Sequence, residues 1–171
     1  IRPQGLRPAA QLSKLPALNV GGNRISDPSP LSKFPNLTSL SMYGNQISDL
    51  SALSALRKLS VLSAFDNQIA DISPVAELEN LTALNLSRNQ ISDLSAVSGV
   101  PKLTVLRVYV NQVTDITPVS GLTNLTWLDV FGNQISDLSA VAGLTKLTTL
   151  SACDNQITDI SPVADLTNLT S

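Results

Sequence analysis

The 171-residue chain has no histidine and only one cysteine, Cys153, so two of the commonest catalytic side chains are almost missing. A lone thiol needs a neighbouring base to become a nucleophile, and the sequence places none beside it. The acidic residues Asp66, Asp129 and Asp154 are scattered and form no obvious pair for general acid and base catalysis. We therefore expect no enzyme, no cofactor, no metal site and no internal disulfide.

Charged residues are also scarce, at 14% of the chain, with 11 basic and 13 acidic side chains and a net charge of −2. Binding to nucleic acid or to an anionic membrane surface requires clustered lysine and arginine, which this sequence lacks. No apolar run approaches the roughly 20 residues needed to cross a bilayer, and residues 1–15 carry no apolar core of a signal peptide. We expect neither a nucleic-acid partner nor membrane insertion.

What the chain does contain is a 22-residue repeat, marked by one asparagine in each copy. Leucine stands eight and five residues before each asparagine, and a third apolar residue stands three before it. This is the leucine-rich-repeat pattern, which predicts an α/β repeat fold: a curved solenoid with a parallel β-sheet on its concave face and turns or short 3₁₀ segments on its convex face. We expect the asparagines to form a structural ladder that satisfies turn backbone groups: Asn23, Asn45, Asn67, Asn89, Asn111, Asn133 and Asn155.

Two further features follow the same register. An aspartate four residues after each asparagine has the sequence surroundings of a turn cap, which favours a structural role over a metal row. Thirteen residues after each asparagine, asparagine and lysine alternate strictly, from Asn36 and Lys58 to Asn168. Proline and alanine alternate in the same way seven residues after it, so the array reads as copies of a 44-residue unit, either duplicated or designed.

We expect one leucine-rich-repeat domain over residues 1–171. Residues 1–14 form a degenerate partial repeat, seven full repeats follow, and residues 165–171 begin an eighth repeat that is cut short. A solenoid without polar capping repeats exposes apolar columns and strand edges at its ends. The ends are therefore expected to fray or to associate end to end with another copy.

The run from Leu125 to Asp137 (LTWLDVFGNQISD) and the run from Ile160 to Leu169 (ISPVADLTNL) resemble the repeats of internalin-type bacterial leucine-rich-repeat proteins. The resemblance covers residues 12–170. It implies a right-handed solenoid that binds a protein through its concave sheet, often as a secreted or surface-attached adhesin of a bacterium. An extracellular or cell-surface location is therefore expected. The intracellular, phosphatase-regulatory branch has a similar repeat length and leaves a cytoplasmic location as the alternative.

Variation between the copies indicates where a partner binds. Five of the six aromatic residues fall on strand positions that open away from the core, whereas Phe34 alone occupies a core column. Aromatic and arginine side chains dominate interface hot spots, so these positions predict a protein-binding site. Its residues are Tyr43, Phe65, Arg107, Tyr109, Trp127, Asp129 and Phe131.

The sequence predicts which side chains on this face lie side by side and leaves two questions open. Tyr43 should lie beside Phe65 and Tyr109 beside Phe131, with Ser87 leaving a gap between the two pairs. Arg107 and Asp129 read equally well as an internal ion pair or as partner contacts. Carbohydrate binding by the aromatic rings, or a spacer role that needs no binding face, are the alternative functions.

Overall fold

The structure is a computed structural model that describes residues 14–171. Most of the predicted partial repeat at the start of the chain lies outside these described residues. From residue 14 onwards each 22-residue repeat contributes one short strand and one 3₁₀ segment.

Within residues 14–171, seven three-residue strands form a single parallel sheet in chain order. Neighbouring strands pair without a register shift, so that the central leucine of each strand meets the central leucine of the next, as in Leu40 and Leu62. This central residue points into the core while the residues on either side face out, as expected from the two-residue period of a strand. The strands are β1 (Ala17–Asn19), β2 (Ser39–Ser41), β3 (Val61–Ser63), β4 (Ala83–Asn85), β5 (Val105–Arg107), β6 (Trp127–Asp129) and β7 (Thr149–Ser151).

The opposite side of each coil is a 3₁₀ segment of three to five residues, because a 22-residue repeat leaves little length for an α-helix. The leucine-rich-repeat solenoid predicted from the sequence is confirmed. The segments are η1 (Ser29–Lys33), η2 (Ser51–Ala55), η3 (Ser73–Glu77), η4 (Ser95–Gly99), η5 (Thr117–Val119), η6 (Ser139–Val141) and η7 (Ser161–Val163).

The repeated aspartates cap the starts of these 3₁₀ segments. Asp27 Oδ1 accepts a hydrogen bond from the Ser29 backbone N–H at 2.8 Å, and the same bond recurs in the other six repeats. Each aspartate lies one residue before the N-cap position and satisfies the first N–H of the segment. The turn-capping interpretation of this column therefore agrees with the observed contacts.

The core is one continuous cluster that runs the length of the solenoid. Apolar side chains at the same place in successive repeats stack on one another and exclude water. One column is completely buried from the second to the seventh repeat: Leu37, Leu59, Leu81, Leu103, Leu125 and Leu147. Packing between repeats, not within one repeat, supplies the apolar burial that holds the fold.

An asparagine ladder runs beside this core. In each of the six repeats from Asn45 onwards, the side-chain amide donates to two carbonyls of its own turn and to one carbonyl of the preceding repeat. Asn133 Nδ2, for example, lies 2.9 Å from Val130 O and 3.0 Å from Val108 O. Its Oδ1 accepts the Val113 backbone N–H at 3.0 Å, so one side chain ties two successive turns together.

A second ladder of side chains links the repeats just before the strands. Lys58 Nζ donates to Asn36 Oδ1 at 2.7 Å, and the same contact joins Lys102 to Asn80 and Lys146 to Asn124. Between these pairs the asparagine amide reaches back to a carbonyl, as Asn80 Nδ2 does to Arg57 O at 2.9 Å. The alternation of asparagine and lysine therefore has a structural cause, since each lysine has an asparagine acceptor one repeat earlier.

Candidate functional site

The sequence singled out seven side chains, which we call together the concave binding face: Tyr43, Phe65, Arg107, Tyr109, Trp127, Asp129 and Phe131. Arg107, Trp127 and Asp129 lie on β5 and β6, whereas the other four lie two residues past the ends of β2, β3, β5 and β6 and not on the strands themselves. Each member is at least partly exposed. Trp127 keeps 38% of its surface accessible, a high value for the largest apolar side chain in the chain. None of the aromatic members belongs to the buried core cluster, so core packing does not account for them.

Tyr43 and Phe65 form a stacked pair at one end of this face. Their ring centroids are 4.8 Å apart and the ring planes differ by 2°. The Tyr43 ring also covers Gly21, where an added Cβ would lie 2.3 Å from Tyr43 Cε1. The Tyr43 ring is held between Gly21 and the Phe65 ring, so a partner would meet a rigid apolar surface.

Ser87 does not leave the gap that the sequence suggested. It occupies the position between Phe65 and Tyr109, as the backbone hydrogen bonds from Asp66 N to Ser87 O and from Arg88 N to Tyr109 O show. Ser87 is nevertheless 0% exposed, and its hydroxyl has no hydrogen-bond partner among residues 14–171. A small side chain between two much larger ones is shielded from solvent, and sequence reasoning treated it as open.

Arg107 makes its contact with Trp127. The guanidinium carbon lies 4.6 Å from the centroid of the indole ring, within the range of a cation–π interaction. Arg107 and Asp129 are paired in register on β5 and β6, yet they form no ion pair, since Arg57 with Glu77 is the only ion pair among residues 14–171. The Asp129 carboxylate accepts the Phe131 backbone N–H at 3.2 Å instead.

Sequence reasoning missed a shallow depression in the middle of the concave sheet. It has a volume of about 170 Å³ and is bordered by Val61, Ala83 and Val105, with Asn85 and Arg107 at its polar side. These side chains lie side by side because β3, β4 and β5 pair in register. A small alanine between two valines at equivalent positions was the signal that could have revealed it.

The acidic residues of the convex side are set up as caps. The pKa of six of these aspartates lies below its usual value because the serine or threonine two residues later donates to the carboxylate. The backbone N–H has the larger effect at Asp27, Asp71 and Asp159, and the side-chain hydroxyl at Asp93, Asp115 and Asp137. Across residues 14–171, no three metal-ligating side chains come together.

Neither a membrane-crossing helix nor a paired thiol occurs in the described part of the chain. No helix there has the length and apolarity needed to span a bilayer, and Cys153 is exposed and free. The side chains gathered on the concave sheet are aromatic, aliphatic, amide and guanidinium groups. Their arrangement is suited to recognising another molecule by apolar contact and hydrogen bonding.

Comparison with known proteins agrees with the fold and the repeat length. A family model described as leucine-rich repeats in two copies matches residues 13–55, 57–99 and 101–144, so each match spans one 44-residue unit or nearly so. No curated protein sequence gives a significant match to the chain.

The chain is similar to solved internalin structures from Listeria monocytogenes. Internalin C2 is 38% identical with a TM-score of 0.89, over 94% of this chain and 71% of that one. Internalin InlF is 35% identical with a TM-score of 0.74, over 95% of this chain and 62% of that one.

A plant structure shares the fold at lower identity. The ectodomain of the Arabidopsis thaliana membrane receptor kinase GASSHO1/SCHENGEN3, solved in complex with CASPARIAN STRIP INTEGRITY FACTOR 2, is 25% identical with a TM-score of 0.82. The match covers 91% of this chain and 20% of the receptor.

Proposed function

The chain belongs to the leucine-rich-repeat family, in its internalin-type branch, and from this premise we propose that it is a non-catalytic protein-binding module that uses its concave sheet face. One observation carries the proposal. Five of the six aromatic side chains occupy the concave binding face, where the fold itself does not require them. A spacer would have no reason to keep large apolar side chains partly exposed at these positions.

The size of this face suits a protein partner. Each of the five aromatic side chains has roughly 150–250 Å² of surface, so even a third of that total, roughly 250–400 Å², is a substantial part of the ~800 Å² that one partner contributes to a standard interface. Tryptophan, tyrosine and arginine are also the residues most enriched in binding hot spots. The receptor ectodomain with which this chain shares its fold was solved as a complex, which further supports a binding role.

We further propose that the full-length protein acts as an adhesin or receptor at a cell surface or after secretion. Similarity to the internalins supports this location. Fractionation of the source cells, followed by detection of the full-length protein, tests it. Recovery in the cytoplasmic fraction would instead favour the phosphatase-regulatory alternative.

Selection of binders from a random displayed peptide library on the purified chain tests the binding role and does not require the natural partner. Trp127→Ala and Tyr109→Ala should each weaken most selected binders by about 30-fold, equivalent to ~2 kcal/mol, as hot-spot truncations do. Circular dichroism and the melting temperature should remain close to those of the parent, because neither side chain belongs to the core cluster.

Gln112→Ala provides the matched control, because Gln112 is exposed and lies outside the concave binding face. Lys102 is less suitable as a control, since it bonds Asn80 in the second ladder. If selected binders tolerate both concave variants and lose affinity for Gln112→Ala, the concave assignment is wrong. If a glycan array gives dose-dependent binding that Trp127→Ala removes and the peptide library gives none, carbohydrate recognition replaces protein binding.

A further inference from the structure

The depression on the concave sheet is large enough to hold one apolar side chain. Ala83 lies between Val61 and Val105 on paired strands, and strands in a sheet are about 4.8 Å apart, so the backbones of the two valines are roughly 10 Å apart with only the alanine methyl group between their side chains. Its volume of about 170 Å³ compares with the ~150 Å³ of an apolar cavity that holds benzene. Val61 remains 38% exposed, so this wall is available to a partner.

Two side chains at the polar side of the depression, Asn85 and Arg107, keep hydrogen-bond donors without an acceptor in the described part of the chain. Asn85 and Arg107 are register neighbours on β4 and β5. Asn85 uses its Oδ1 to accept the Ser87 backbone N–H at 3.1 Å, which leaves its amide N–H₂ without an acceptor among residues 14–171. The Arg107 side chain, which lies over the Trp127 ring, makes no hydrogen bond or ion pair among residues 14–171, so its N–H donors are available to a partner as well.

The contact with Trp127 prepares Arg107 for a carboxylate. The contact with the ring restricts the position of the guanidinium, and a guanidinium with free donors binds a carboxylate in a bidentate manner. Asp129 is the nearest acidic neighbour in register, and its carboxylate accepts the Phe131 N–H without pairing with Arg107. Arg107 is the only cation on β1 to β7, so a partner group that complements it is acidic.

We propose that this site binds a peptide segment of the partner in which an apolar residue is followed by an acidic one. The apolar side chain occupies the depression over Ala83, and the carboxylate accepts hydrogen bonds from Arg107 and Asn85. This inference rests on the proposed concave binding function and specifies the chemistry of the partner at its centre.

The test uses a pair of synthetic peptides, acetyl-Ser-Leu-Glu-Ser-amide and its glutamine counterpart, titrated into the ¹⁵N-labelled chain to millimolar concentration. Trp127 is the only tryptophan, so its indole N–H gives one unambiguous signal beside Arg107. The glutamate peptide should shift the side-chain N–H signals of Trp127, Arg107 and Asn85, with an affinity at least five-fold above that of the glutamine peptide. Sodium acetate at the same concentration should give smaller shifts, because it cannot fill the depression.

Two substitutions divide the site into its halves. Arg107→Gln should abolish the preference for glutamate over glutamine, and Ala83→Leu, which fills the depression on a partly exposed strand position, should lower affinity for both peptides at least five-fold. Arg24→Gln removes an exposed arginine elsewhere and should change neither measurement. Amide spectra of the variants report whether each one is folded.

The two proposals fail in different ways. If binders selected from the library depend on Trp127 while both tetrapeptides bind equally, or neither shifts the three signals, concave binding stands and the acidic-peptide inference is wrong. Shifts by acetate as large as those by the glutamate peptide would also overturn it. A glutamate preference that persists in Arg107→Gln would contradict the role assigned to that residue.

Discussion

Replacing Asn133 by alanine tests the view that the asparagine ladder holds successive turns together. Asn133 is 8% exposed, and its Oδ1 is the acceptor for the Val113 backbone N–H, which belongs to a residue that is 0% exposed. Truncation leaves this N–H buried and unpaired, because the alanine side chain has no acceptor. A buried donor that loses its partner costs about 1–3 kcal/mol.

The donor side of Asn133 adds less to the cost. Three carbonyls lose the Asn133 amide, but each keeps another donor: Val108 O keeps Asn111 Nδ2, Val130 O keeps Asn155 Nδ2, and Phe131 O keeps the Val110 backbone N–H. Their loss therefore weakens hydrogen bonding without leaving a second orphaned group. With this smaller contribution added, the total decrease in the free energy of unfolding should be ~2–4 kcal/mol.

Urea unfolding followed by circular dichroism measures this decrease, and hydrogen exchange of the Val113 amide locates it. Gln134→Ala is the matched control, since the neighbouring Gln134 side chain is exposed and its backbone N–H keeps its bond to Val113 O at 2.9 Å. The control should remain within ~0.5 kcal/mol of the parent. If the two variants unfold at the same urea concentration and the Val113 amide stays protected, the ladder does not contribute as argued.

Three further outcomes follow from the structure. Val110 has φ +53°, a left-handed conformation in which a β-branched residue is strained, whereas Gly132 occupies the same place one repeat later. Val110→Gly should therefore raise the free energy of unfolding by ~1 kcal/mol, and Gly132→Val should lower it by ~1–2 kcal/mol. Urea titrations that give the opposite signs would refute the strain argument. The capping aspartates have a lower pKa in the folded chain, so they stabilise the fold above the pKa of an unfolded aspartate, near ~3.9, and this stabilisation is lost as the pH falls through the folded pKa. The free energy of unfolding should therefore decline below about pH 4. Asp137→Asn should make that decline shallower, and an unchanged decline would contradict the capping role. The 171-residue chain on its own should show a sedimentation coefficient that rises with concentration, because Thr170 and Ser171 cover only part of the outer edge of β7 and the rest of that edge can pair with another copy. A constant monomer mass across a hundred-fold concentration range would contradict this.

The fold was predictable because its determinants repeat in the sequence. A leucine at the centre of each strand and an asparagine five residues later fix the register, so the pairing of Leu40 with Leu62 follows from the 22-residue period alone. The capping bonds were predictable for the same reason. Asp27 and Ser29 are neighbours in the chain, and their contact depends on local backbone geometry.

The concave face was only partly predictable because its contacts depend on how side chains orient between repeats. The sequence placed Tyr43 beside Phe65, and the rings do stack. The sequence paired Arg107 with Asp129, because the two share a column, and did not predict the diagonal contact between Arg107 and Trp127. The exposure of a side chain does not follow from the repeat pattern either, since Ser87 occupies an open column and is buried in the structure.

Residues on the concave face can vary between repeats because the contacts that hold the fold together use other positions of the repeat. The core leucines, the asparagine ladder and the second ladder of Lys58 with Asn36 all join one repeat to the next, and none of them uses an outward strand position. A substitution at Ala83 therefore changes the surface without breaking a hydrogen bond between repeats, and one at Trp127 removes only the contact with Arg107. The positive-φ residues also lie outside the strands, just before each ladder asparagine, and these positions hold glycine, aspartate, arginine or valine. A scaffold whose stability resides in repeated columns can thus carry a different recognition chemistry on each strand, and the combination at β4 to β6 is the one from which a specific partner preference follows.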